Sequence, residues 1–417
     1  MQIAIIGAGI SGMVTAYLLC PEHEVTVFEA NDEVGGHTHT VDLEVEGRRY
    51  AVDTGFIVFN DKTYPNFIRL MDTLGVASQP SNMSFSLQCE KTGLVFSPSN
   101  LNSLFAQRRN LLRPAFYRML ADARRFRRES LSLLDSPDDE TTLAAYLEQN
   151  RYSPLFKNQF IIPMGSAIWS ADPDKFQAFP ARYFVEFFNN HGFLNVRNQP
   201  QWRVVQGGSR QYVAPLIRKY KENIRTGAPI ASIRRHPDHV AVTPKNGDAE
   251  RFDQVVIATH SDQALAMLAD PSDAERRILG RIPYQENQTV LHSDPSVLPP
   301  QRWAWASWNY YTPPETLGRV AVSYNMNILQ NIRSETPFCV TLNWPGRIDP
   351  ARVHRRFVYH HPVYDPEGLA ARKRHADISG VNRTHYCGAY WGYGFHEDGV
   401  NSGLAVAEAF GRSLADA

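Results

Sequence analysis

The sequence predicts an α/β protein with a Rossmann-type dinucleotide-binding domain. An apolar run from Gln2 to Ile6 suits a buried parallel strand, and the pattern G-x-G-x-x-G follows it directly. Helical apolar spacing then continues from Ser11 to Leu19, and a second strand pattern, EVTVFE, ends at Glu29. Strand, glycine turn, helix and acid therefore occur in the order that dinucleotide binding requires.

The three glycines of this turn have separate tasks. Gly7 permits the tight turn, Gly9 lets a pyrophosphate approach the backbone, and Gly12 lets the helix pack on the strand. The first helical turn, which includes Ser11, offers free N–H groups and the positive end of the helix dipole to phosphates. Glu29 is placed for a ribose hydroxyl. A glycine-rich turn of another α/β fold is the alternative interpretation.

Composition limits the class of protein. The 417 residues suffice for two or three folding units, and 43 basic against 43 acidic residues argue against a nucleic-acid binder. The four cysteines form no C-x-x-C pattern, which indicates thiols in a reducing compartment, and the histidines have no metal-ligand spacing. The sequence has neither a signal peptide nor an apolar run of membrane-spanning length. We expect a cytoplasmic protein without a metal; peripheral contact with the inner membrane face stays open.

A second glycine pair, Gly35-Gly36, follows the ribose acid in NDEVGGHTHT. With this pair, the run from Met1 to Gly36 resembles the FAD-binding start of the flavin-containing amine oxidoreductase superfamily, which includes amine oxidases, phytoene desaturases and protoporphyrinogen oxidases. His37 stands where that superfamily usually has an arginine. The resemblance implies an amine-oxidase-like fold and FAD held noncovalently.

The next stretches narrow the resemblance. The segments VDTGFIVFNDKTYPNFIRLMDTLGV, NMSFSL and LFAQRRN resemble a bacterial group of FAD-binding proteins and the oxidase-like N-terminal domain of plant cyclopropane fatty acid synthases. This likeness implies an enzyme linked to modified fatty acyl chains. The plant fusion also implies a lipid methyltransferase as a candidate partner.

The resemblance further implies that the FAD-binding domain is discontinuous. Its pieces are residues 1–75, 201–265 and 383–417, and the insertions 76–200 and 266–382 form a mixed α+β substrate domain. Both insertions are rich in aromatic residues, which suit either a core or a pocket for a long apolar substrate. No second G-x-G-x-x-G occurs, and this favours oxygen, a quinone or another carrier as electron acceptor, or a redox-neutral reaction.

Cofactor positions are carried over from the family residue by residue. The expected FAD-binding residues are Gly7, Gly9, Ser11, Gly12, Glu29, Gly35, Gly36, His37, Thr38, Thr54, Gly55, Phe56, Ile230, Ala258, Thr259, Gly388, Gly399 and Val400. Asp53 either faces the flavin or is an ordinary turn acid. The pattern HYCGAYW is expected to be the closing strand of the FAD-binding domain. An acid commonly follows the glycine of this strand in the family, but Ala389 follows Gly388 here.

The stretch YWGYGFHEDGVNSG resembles the closing motif of the superfamily, and it supplies the catalytic candidates. By this likeness Phe395 takes the place of a cage aromatic, and His396 and Glu397 lie by the pyrimidine edge of the flavin. Gly399, Val400 and Asn401 fall at a helix start, where N–H groups meet the flavin O2. His396 either exchanges protons or only makes a structural hydrogen bond.

We therefore predict an FAD-dependent oxidoreductase of unsaturated or branched fatty acyl chains, acting by desaturation or double-bond isomerisation through hydride transfer to flavin N5. An amine oxidase that uses oxygen and a flavin-bearing accessory partner of a lipid methyltransferase are the alternatives. Residues 105–130 carry eight arginines against one Asp and one Glu, with apolar residues at helical spacing, and Pro114 marks the expected start of the helix proper. Such a segment either lies on an anionic membrane or is a solvated face.

Overall fold

The computed structural model describes residues 1–195, 198–315 and 318–416. The strands are β1 (Gln2–Ile6), β2 (Glu24–Phe28), β3 (Thr40–Val45), β4 (Arg48–Asp53), β5 (Phe59–Asn60), β6 (Ser78–Pro80), β7 (Phe85–Cys89), β8 (Leu94–Phe96), β9 (Trp202–Val205), β10 (Ile224–Arg225), β11 (Ile230–Arg235), β12 (Val240–Pro244), β13 (Glu250–Phe252), β14 (Gln254–Ile257), β15 (Tyr284–His292), β16 (Trp308–Thr312), β17 (Ala321–Asn325), β18 (Cys339–Leu342), β19 (Val353–Pro362) and β20 (Thr384–Tyr386).

The helices are α1 (Ile10–Leu19), α2 (Pro65–Leu74), α3 (Leu101–Leu104), α4 (Pro114–Glu129), α5 (Leu143–Gln149), α6 (Pro154–Phe156), α7 (Ile162–Trp169), α8 (Pro173–Phe176), α9 (Ala181–Asn190), α10 (Val213–Ile217), α11 (Ser261–Met267), α12 (Asp273–Leu279), α13 (Met326–Leu329), α14 (Pro366–Arg372) and α15 (His396–Ala409). A π-helical turn, Lys157–Ile161, joins α6 to α7. None of the helices in the described ranges combines the length and the apolar character needed to cross a membrane.

A parallel sheet of five strands, in the order β10-β2-β1-β14-β20, forms the centre of the nucleotide-binding part. Its strands come from three stretches of the chain that are far apart in sequence. Ile5 of β1 pairs with Val27 of β2 on one side and with Val256 of β14 on the other. All three side chains are fully buried, as expected for a parallel strand covered on both faces. The predicted discontinuous Rossmann-type architecture is confirmed.

Helices α1 and α15 cross closely because α15 has glycines at the contact. A Cβ on Gly399 would lie 2.6 Å from Cγ2 of Ile10, and a Cβ on Gly403 would lie 2.7 Å from the carbonyl oxygen of Ser11. Any larger side chain would force the helices apart. The crossing brings the start of α15 beside the glycine turn that precedes α1.

A second sheet of seven strands has the order β19-β15-β18-β17-β16-β7-β8 and is built from both insertions. The parallel pairing of β16 with β7, in which Asn309 lies opposite Ser86, joins them into one mixed sheet. The helices between β8 and β9 contribute Phe126, Phe156 and Phe184 to the same apolar core as this sheet. The mixed α+β character expected for the substrate domain is therefore found in the same two insertions.

Two local expectations need correction. The pattern HYCGAYW was expected to be one strand, but β20 ends at Tyr386 and a 3-10 turn, Ala389–Trp391, follows. A Cβ on Gly388 would lie 2.4 Å from Cε1 of Tyr390, so the chain turns at a position where only glycine fits. The basic segment is not one helix: α4 starts at Pro114, as expected, but a 3-10 turn, Arg108–Leu112, precedes it.

Candidate cofactor and active site

The glycine turn before α1 leaves open space where a phosphate group would bind. A Cβ on Gly12 would lie 2.1 Å from the carbonyl oxygen of Gly7, so this glycine is required for helix and strand to pack. A Cβ on Gly9 would meet no atom within 4 Å. Gly9 is also the N-cap of α1, and no side chain caps the helix there. The first-turn N–H groups therefore face an open cradle that fits an anionic pyrophosphate.

Glu29 lies at the end of β2, buried beside this turn. Its Oε2 accepts a hydrogen bond from the Ala8 N–H (2.8 Å), and its Oε1 accepts from the N–H and the side-chain amide of Asn31 (2.9 and 2.8 Å). A carboxylate has about four lone-pair sites, so Oε2 keeps one for a ribose hydroxyl. This geometry fits the predicted role.

The second glycine pair touches the first turn. Gly35 and Gly36 have φ angles of 127° and 59°, which favour glycine, and Gly35 forms an isolated bridge with Gly9. A Cβ on Gly36 would lie 3.2 Å from Cα of Gly9. On the other side of the turn, a Cβ on Gly7 would lie 2.9 Å from the carbonyl oxygen of Ala258. The stretches that begin at Gly35 and at Ala258 are thereby fixed next to the cradle.

A cluster of imidazole rings follows these two stretches. The ring centroid of His37 lies 6.1 Å from that of His260 and 5.5 Å from that of His361. His360 lies 6.5 Å from His260. Within the described ranges, Nε2 of His37 is buried without a hydrogen-bond partner. We call these four residues the histidine cluster.

Burial holds three rings of the histidine cluster, His37, His260 and His361, uncharged in the protein alone. Burial, and secondly the neighbouring imidazoles, lower the pKa of His37 and of His260 to about 4 and that of His361 to about 3. The unpartnered Nε2 of His37 fits a hydrogen bond with a phosphate oxygen, although a neutral imidazole lacks the charge of the arginine that the family usually has at this position. The sequence predicted His37 as FAD-binding, whereas the other three histidines were set aside because their spacing lacks a metal pattern. Three separate segments bring the four rings together, so no local signal could have found the cluster.

His396 is held by three side chains from other parts of the chain. Its Nε2 lies 2.8 Å from the hydroxyl of Tyr212 and 3.0 Å from that of Thr38. Its ring stacks on Phe56, with centroids 3.5 Å apart and planes 7° apart. Burial, and next His37, lower the pKa of His396 well below its ordinary value, so the imidazole is neutral at pH 7. Tyr212 was not predicted; only the fold places it here.

Glu397 points away from His396, towards the start of α2. Its two oxygens accept hydrogen bonds from the backbone N–H groups of Asn66 (3.0 Å) and Phe67 (2.8 Å). These are first-turn N–H groups that have no partner inside the helix. Glu397 thus satisfies the N-terminus of α2, and this contact favours a structural role over the predicted catalytic one.

The expected helix start at Gly399 needs correction. Helix α15 begins at His396, and the N–H of Gly399 donates to the carbonyl oxygen of Phe395 at 3.1 Å. The free first-turn N–H groups therefore belong to His396 and its two successors. Gly399 and the fully buried Val400 pack inside the fold instead of presenting N–H groups to a ligand.

The remaining predicted positions lie around the same region. A Cβ on Gly55 would lie 2.2 Å from the carbonyl oxygen of His37, so this glycine serves the contact between two chain segments. The hydroxyl of Thr54 lies 2.8 Å from that of Tyr359, a ring next to the histidine cluster. Ile230 is buried at the start of β11, and the N–H of Gly388 donates to Ser402 Oγ. Contact of these positions and of Thr259 with FAD stays a prediction.

Asp53 is a structural acid. It is fully buried and accepts hydrogen bonds from the Thr40 hydroxyl (2.6 Å), the Ser209 N–H (2.8 Å) and the Gln330 side chain (2.7 Å). Burial nevertheless raises its pKa to about 6. Of the two interpretations left open by the sequence, the contacts support the turn acid.

Phe395 of the closing motif packs among aromatic rings of the predicted substrate domain. We call Phe395, Phe187, Trp169 and His191 the aromatic wall. Its ring stacks on Phe187 with centroids 5.1 Å apart and planes 23° apart. Trp169 and His191 lie 6.4 and 6.0 Å away. Burial lowers the pKa of His191 to about 4, so this ring adds no charge near neutral pH. The wall is apolar, and its rings Phe187, Trp169 and His191 are buried.

A parallel α/β sheet with an open phosphate cradle and a buried acid beside the glycine turn at its carboxyl edge defines a dinucleotide-binding protein. Comparison with known families makes this specific. The family model for flavin-containing amine oxidoreductases matches residues 10–297. The chain belongs to this family, and its cofactor is FAD, bound noncovalently.

Curated relatives agree with the family. A Mycobacterium tuberculosis protein provisionally named flavin-containing monoamine oxidase AofH is 26% identical over 289 residues, which is 65% of this chain and 59% of that protein. The flavin-dependent L-tryptophan oxidase RebO of Lentzea aerocolonigenes is 26% identical over 270 residues, 59% of this chain and 54% of that protein. This chain therefore spans less than two thirds of the length of these relatives.

Solved structures share the fold across nearly the whole chain. Putrescine oxidase bound to putrescine has a TM-score of 0.70 at 14% identity and covers 98% of this chain and 99% of its own. Cyclohexylamine oxidase from Brevibacterium oxydans has a TM-score of 0.68 at 18% identity, with 99% of both chains covered. A conjugated-linoleic-acid-producing fatty acid isomerase from P. acnes has a TM-score of 0.67 at 18% identity, with 98% of both covered. At these identities the likeness establishes the fold alone.

Proposed function

We propose that this protein oxidises or isomerises an apolar substrate, an unsaturated or branched fatty acyl chain, with FAD as its cofactor. The observation that carries the proposal is the stack of Phe395 on Phe187. At 5.1 Å between centroids these two rings fill the space between them, so no substrate amine fits there as it would in an aromatic cage. The wall they form with Trp169 instead offers a continuous apolar face, which suits a hydrocarbon chain.

The residues of the chain position the substrate and exclude water. FAD, when bound, supplies a two-electron acceptor for hydride. We propose that the aromatic wall orients the acyl chain. Neutral His396, fixed by Tyr212 and Phe56, shapes the site beside it. A desaturation would require the wall to hold the reacting C–H bond where bound FAD could accept hydride, and the second hydrogen would leave as a proton to water. A double-bond isomerisation would leave the oxidation level of the substrate unchanged, so it would need no external electron acceptor.

Amine oxidation is the second candidate, because the named curated relative is described as a monoamine oxidase and solved structures of the same fold are amine oxidases. The third candidate is an accessory role in which the protein delivers substrate to a lipid methyltransferase. That candidate rests on the sequence resemblance to the plant fusion.

One experiment separates the three. The purified holoprotein is mixed anaerobically with phospholipids that carry unsaturated or methyl-branched chains, and separately with putrescine and cyclohexylamine. The proposal predicts flavin bleaching, or a shifted double bond found by mass spectrometry, only with acyl substrates. Bleaching by amines alone would establish the second candidate. Flavin that stays oxidised while all substrates are recovered unchanged contradicts both enzymatic candidates.

A matched pair of variants tests the stack of Phe395 on Phe187. Phe395→Tyr adds a polar hydroxyl to the wall, whereas Phe395→Leu keeps it apolar. For an acyl substrate we expect Phe395→Tyr to lower kcat/KM about tenfold, since an unsatisfied hydroxyl against hydrocarbon costs about 1–3 kcal/mol, and Phe395→Leu to lower it less. A tyrosine variant that gains amine turnover would instead support amine oxidation.

A further inference from the structure

Large apolar side chains are exposed mainly at one place on this protein. The described part of the chain has nine such residues, and five of them lie close together. We call these five the docking patch: Leu101, Leu111, Leu112, Tyr117 and Trp303. A clustered apolar surface on a folded protein marks an interaction site, whereas single exposed residues do not.

The docking patch is built from two segments that are distant in sequence. Helix α3, which begins at Leu101, lies against the 3-10 turn Arg302–Ala304, which contains Trp303. The hydroxyl of Tyr117 donates to the carbonyl oxygen of Leu111 at 3.0 Å, which ties the first turn of α4 to the preceding 3-10 turn. Leu101, Leu112 and Trp303 are 76%, 87% and 69% exposed. Three bulky side chains thus project into solvent from one folded tip.

The charge around the docking patch is mainly positive. Residues 101–118 contain four arginines and neither aspartate nor glutamate, and one of the four, Arg118, pairs with Asp122 one turn further along α4. Arg108 and Arg113 donate to the neutral side chains of Asn102 and Asn110, and Arg109 donates to the Gly93 carbonyl oxygen, so these contacts leave their charges uncompensated. By contrast Arg125, in the middle of α4, pairs with Asp122 and Glu129 and lies over Tyr152. The basic stretch is therefore structural in its middle and free at its N-terminal end.

A cavity of about 270 Å³ opens beside the docking patch. It is lined by Leu94, Leu112, Phe116 and Leu155, with Arg113 at the same site. Apolar walls next to a guanidinium match a molecule that has a hydrocarbon part and an anionic head. Arginine also pairs bidentately with phosphate oxygens.

We propose that the docking patch binds the surface of an anionic phospholipid bilayer. Leucines and a tryptophan that enter the headgroup region, with arginines on the same tip facing lipid phosphates, are the features that hold a protein on a membrane without crossing it. The α3 and Arg302–Ala304 contact lets two segments of the substrate domain form one rigid tip. The inference does not depend on which substrate the site accepts.

Vesicle co-sedimentation of the full-length holoprotein tests this. We expect pelleting with phosphatidylglycerol-containing vesicles, weak pelleting with pure phosphatidylcholine, and release by salt because screening weakens the arginine contacts. Leu112→Asp should weaken binding at least about tenfold, since burying one leucine is worth about that factor. Val381→Asp, which adds the same charge at another exposed apolar residue, should bind as the wild type does.

Three results would overturn the proposal. They are absence of pelleting with anionic vesicles, equal pelleting of Leu112→Asp and Val381→Asp, and a concentration-dependent dimer that Leu112→Asp abolishes without any vesicle binding. Unfolding of the variant is separated from loss of docking by its flavin content, and Trp303→Ala provides a second variant that adds no charge. Vesicles of saturated lipid offer no double bond to the active site, so they test membrane binding separately from turnover. Absence of vesicle binding would leave the proposed function standing, and absence of turnover would leave membrane binding standing.

Discussion

The imidazole of His396 lies flat on the ring of Phe56, with centroids 3.5 Å apart, while its Nε2 lies within hydrogen-bonding distance of the Tyr212 hydroxyl. Two segments far apart in sequence therefore immobilise the imidazole of the closing motif. A ring held on its face and at its Nε2 is suited to fixing geometry, and its low pKa removes it as a proton donor near neutrality.

The Tyr212 contact predicts the effect of Tyr212→Phe. Removal of the hydroxyl leaves buried Nε2 of His396 with one partner fewer, and we expect a loss of about 1–2 kcal/mol in the free energy of unfolding. Urea unfolding of the holoprotein measures this. Tyr50→Phe, in a half-buried ring that packs on Phe338, is the control. A stability unchanged by Tyr212→Phe, together with a new pKa in the kcat profile, would mean that His396 exchanges protons.

The open cradle predicts opposite outcomes for two glycines of the same turn. Gly9→Ala should fold with unchanged apoprotein stability, because its Cβ meets nothing and its φ of −75° suits alanine. FAD affinity should nevertheless fall at least about tenfold, since the methyl group occupies the pyrophosphate space. Gly12→Ala should destabilise the apoprotein itself, because its Cβ would lie 2.1 Å from a backbone oxygen. Flavin fluorescence titration and thermal unfolding separate the two effects, and normal FAD binding by Gly9→Ala would contradict this cofactor site.

The contacts of Glu397 predict that Glu397→Gln acts on stability. An amide can offer only one oxygen to the two N–H groups at the start of α2 and carries no charge for the helix dipole, which corresponds to about 1–2 kcal/mol. Glu408→Gln, at an exposed position near the end of α15, the helix that also contains Glu397, should change little. Equilibrium unfolding and steady-state kinetics should be measured together. A large fall in kcat without loss of stability would restore the catalytic role.

The histidine cluster predicts acid sensitivity of the apoprotein. A folded-state pKa near 4 lies below the ordinary value of 6.5, so the unfolded state binds more protons between these pH values. The free energy of unfolding should therefore be unaffected by these groups above pH 6.5 and fall as pH drops from 6.5 through about 4. Each pKa unit corresponds to about 1.4 kcal/mol.

Two acids act in the opposite sense over part of this range. Burial raises the pKa of Asp53 and of Asp398 to about 6, so their cost to folding disappears as pH falls from 6 through 3.8. The variant His37→Asn isolates the histidine contribution, because the free energy of unfolding should then fall less with decreasing pH than it does in the wild type. His236→Asn, which changes a half-exposed ring, should leave the fall as large as in the wild type. Identical pH slopes for wild type and His37→Asn would contradict the assignment.

Sequence patterns were sufficient to predict local structure wherever one short segment determines it. The glycine turn, the ribose acid and the Pro114 helix start follow from neighbouring residues, since tight turns and helix starts depend on local backbone geometry. The closing motif does start a helix, but the helix begins at His396 instead of Gly399. At this boundary the Asp398 carboxylate accepts a hydrogen bond from the Phe395 N–H at 2.9 Å.

The sequence by itself determined that this chain has a dinucleotide cradle with an acid beside it, because G-x-G-x-x-G and Glu29 are read within thirty residues. Only the tertiary structure decided what faces that cradle. The partners of His396, the histidine cluster and the docking patch each join segments separated by scores or hundreds of residues. The physical reason is that such contacts depend on how sheets and helices pack, and long-range packing leaves no periodicity or spacing in the chain.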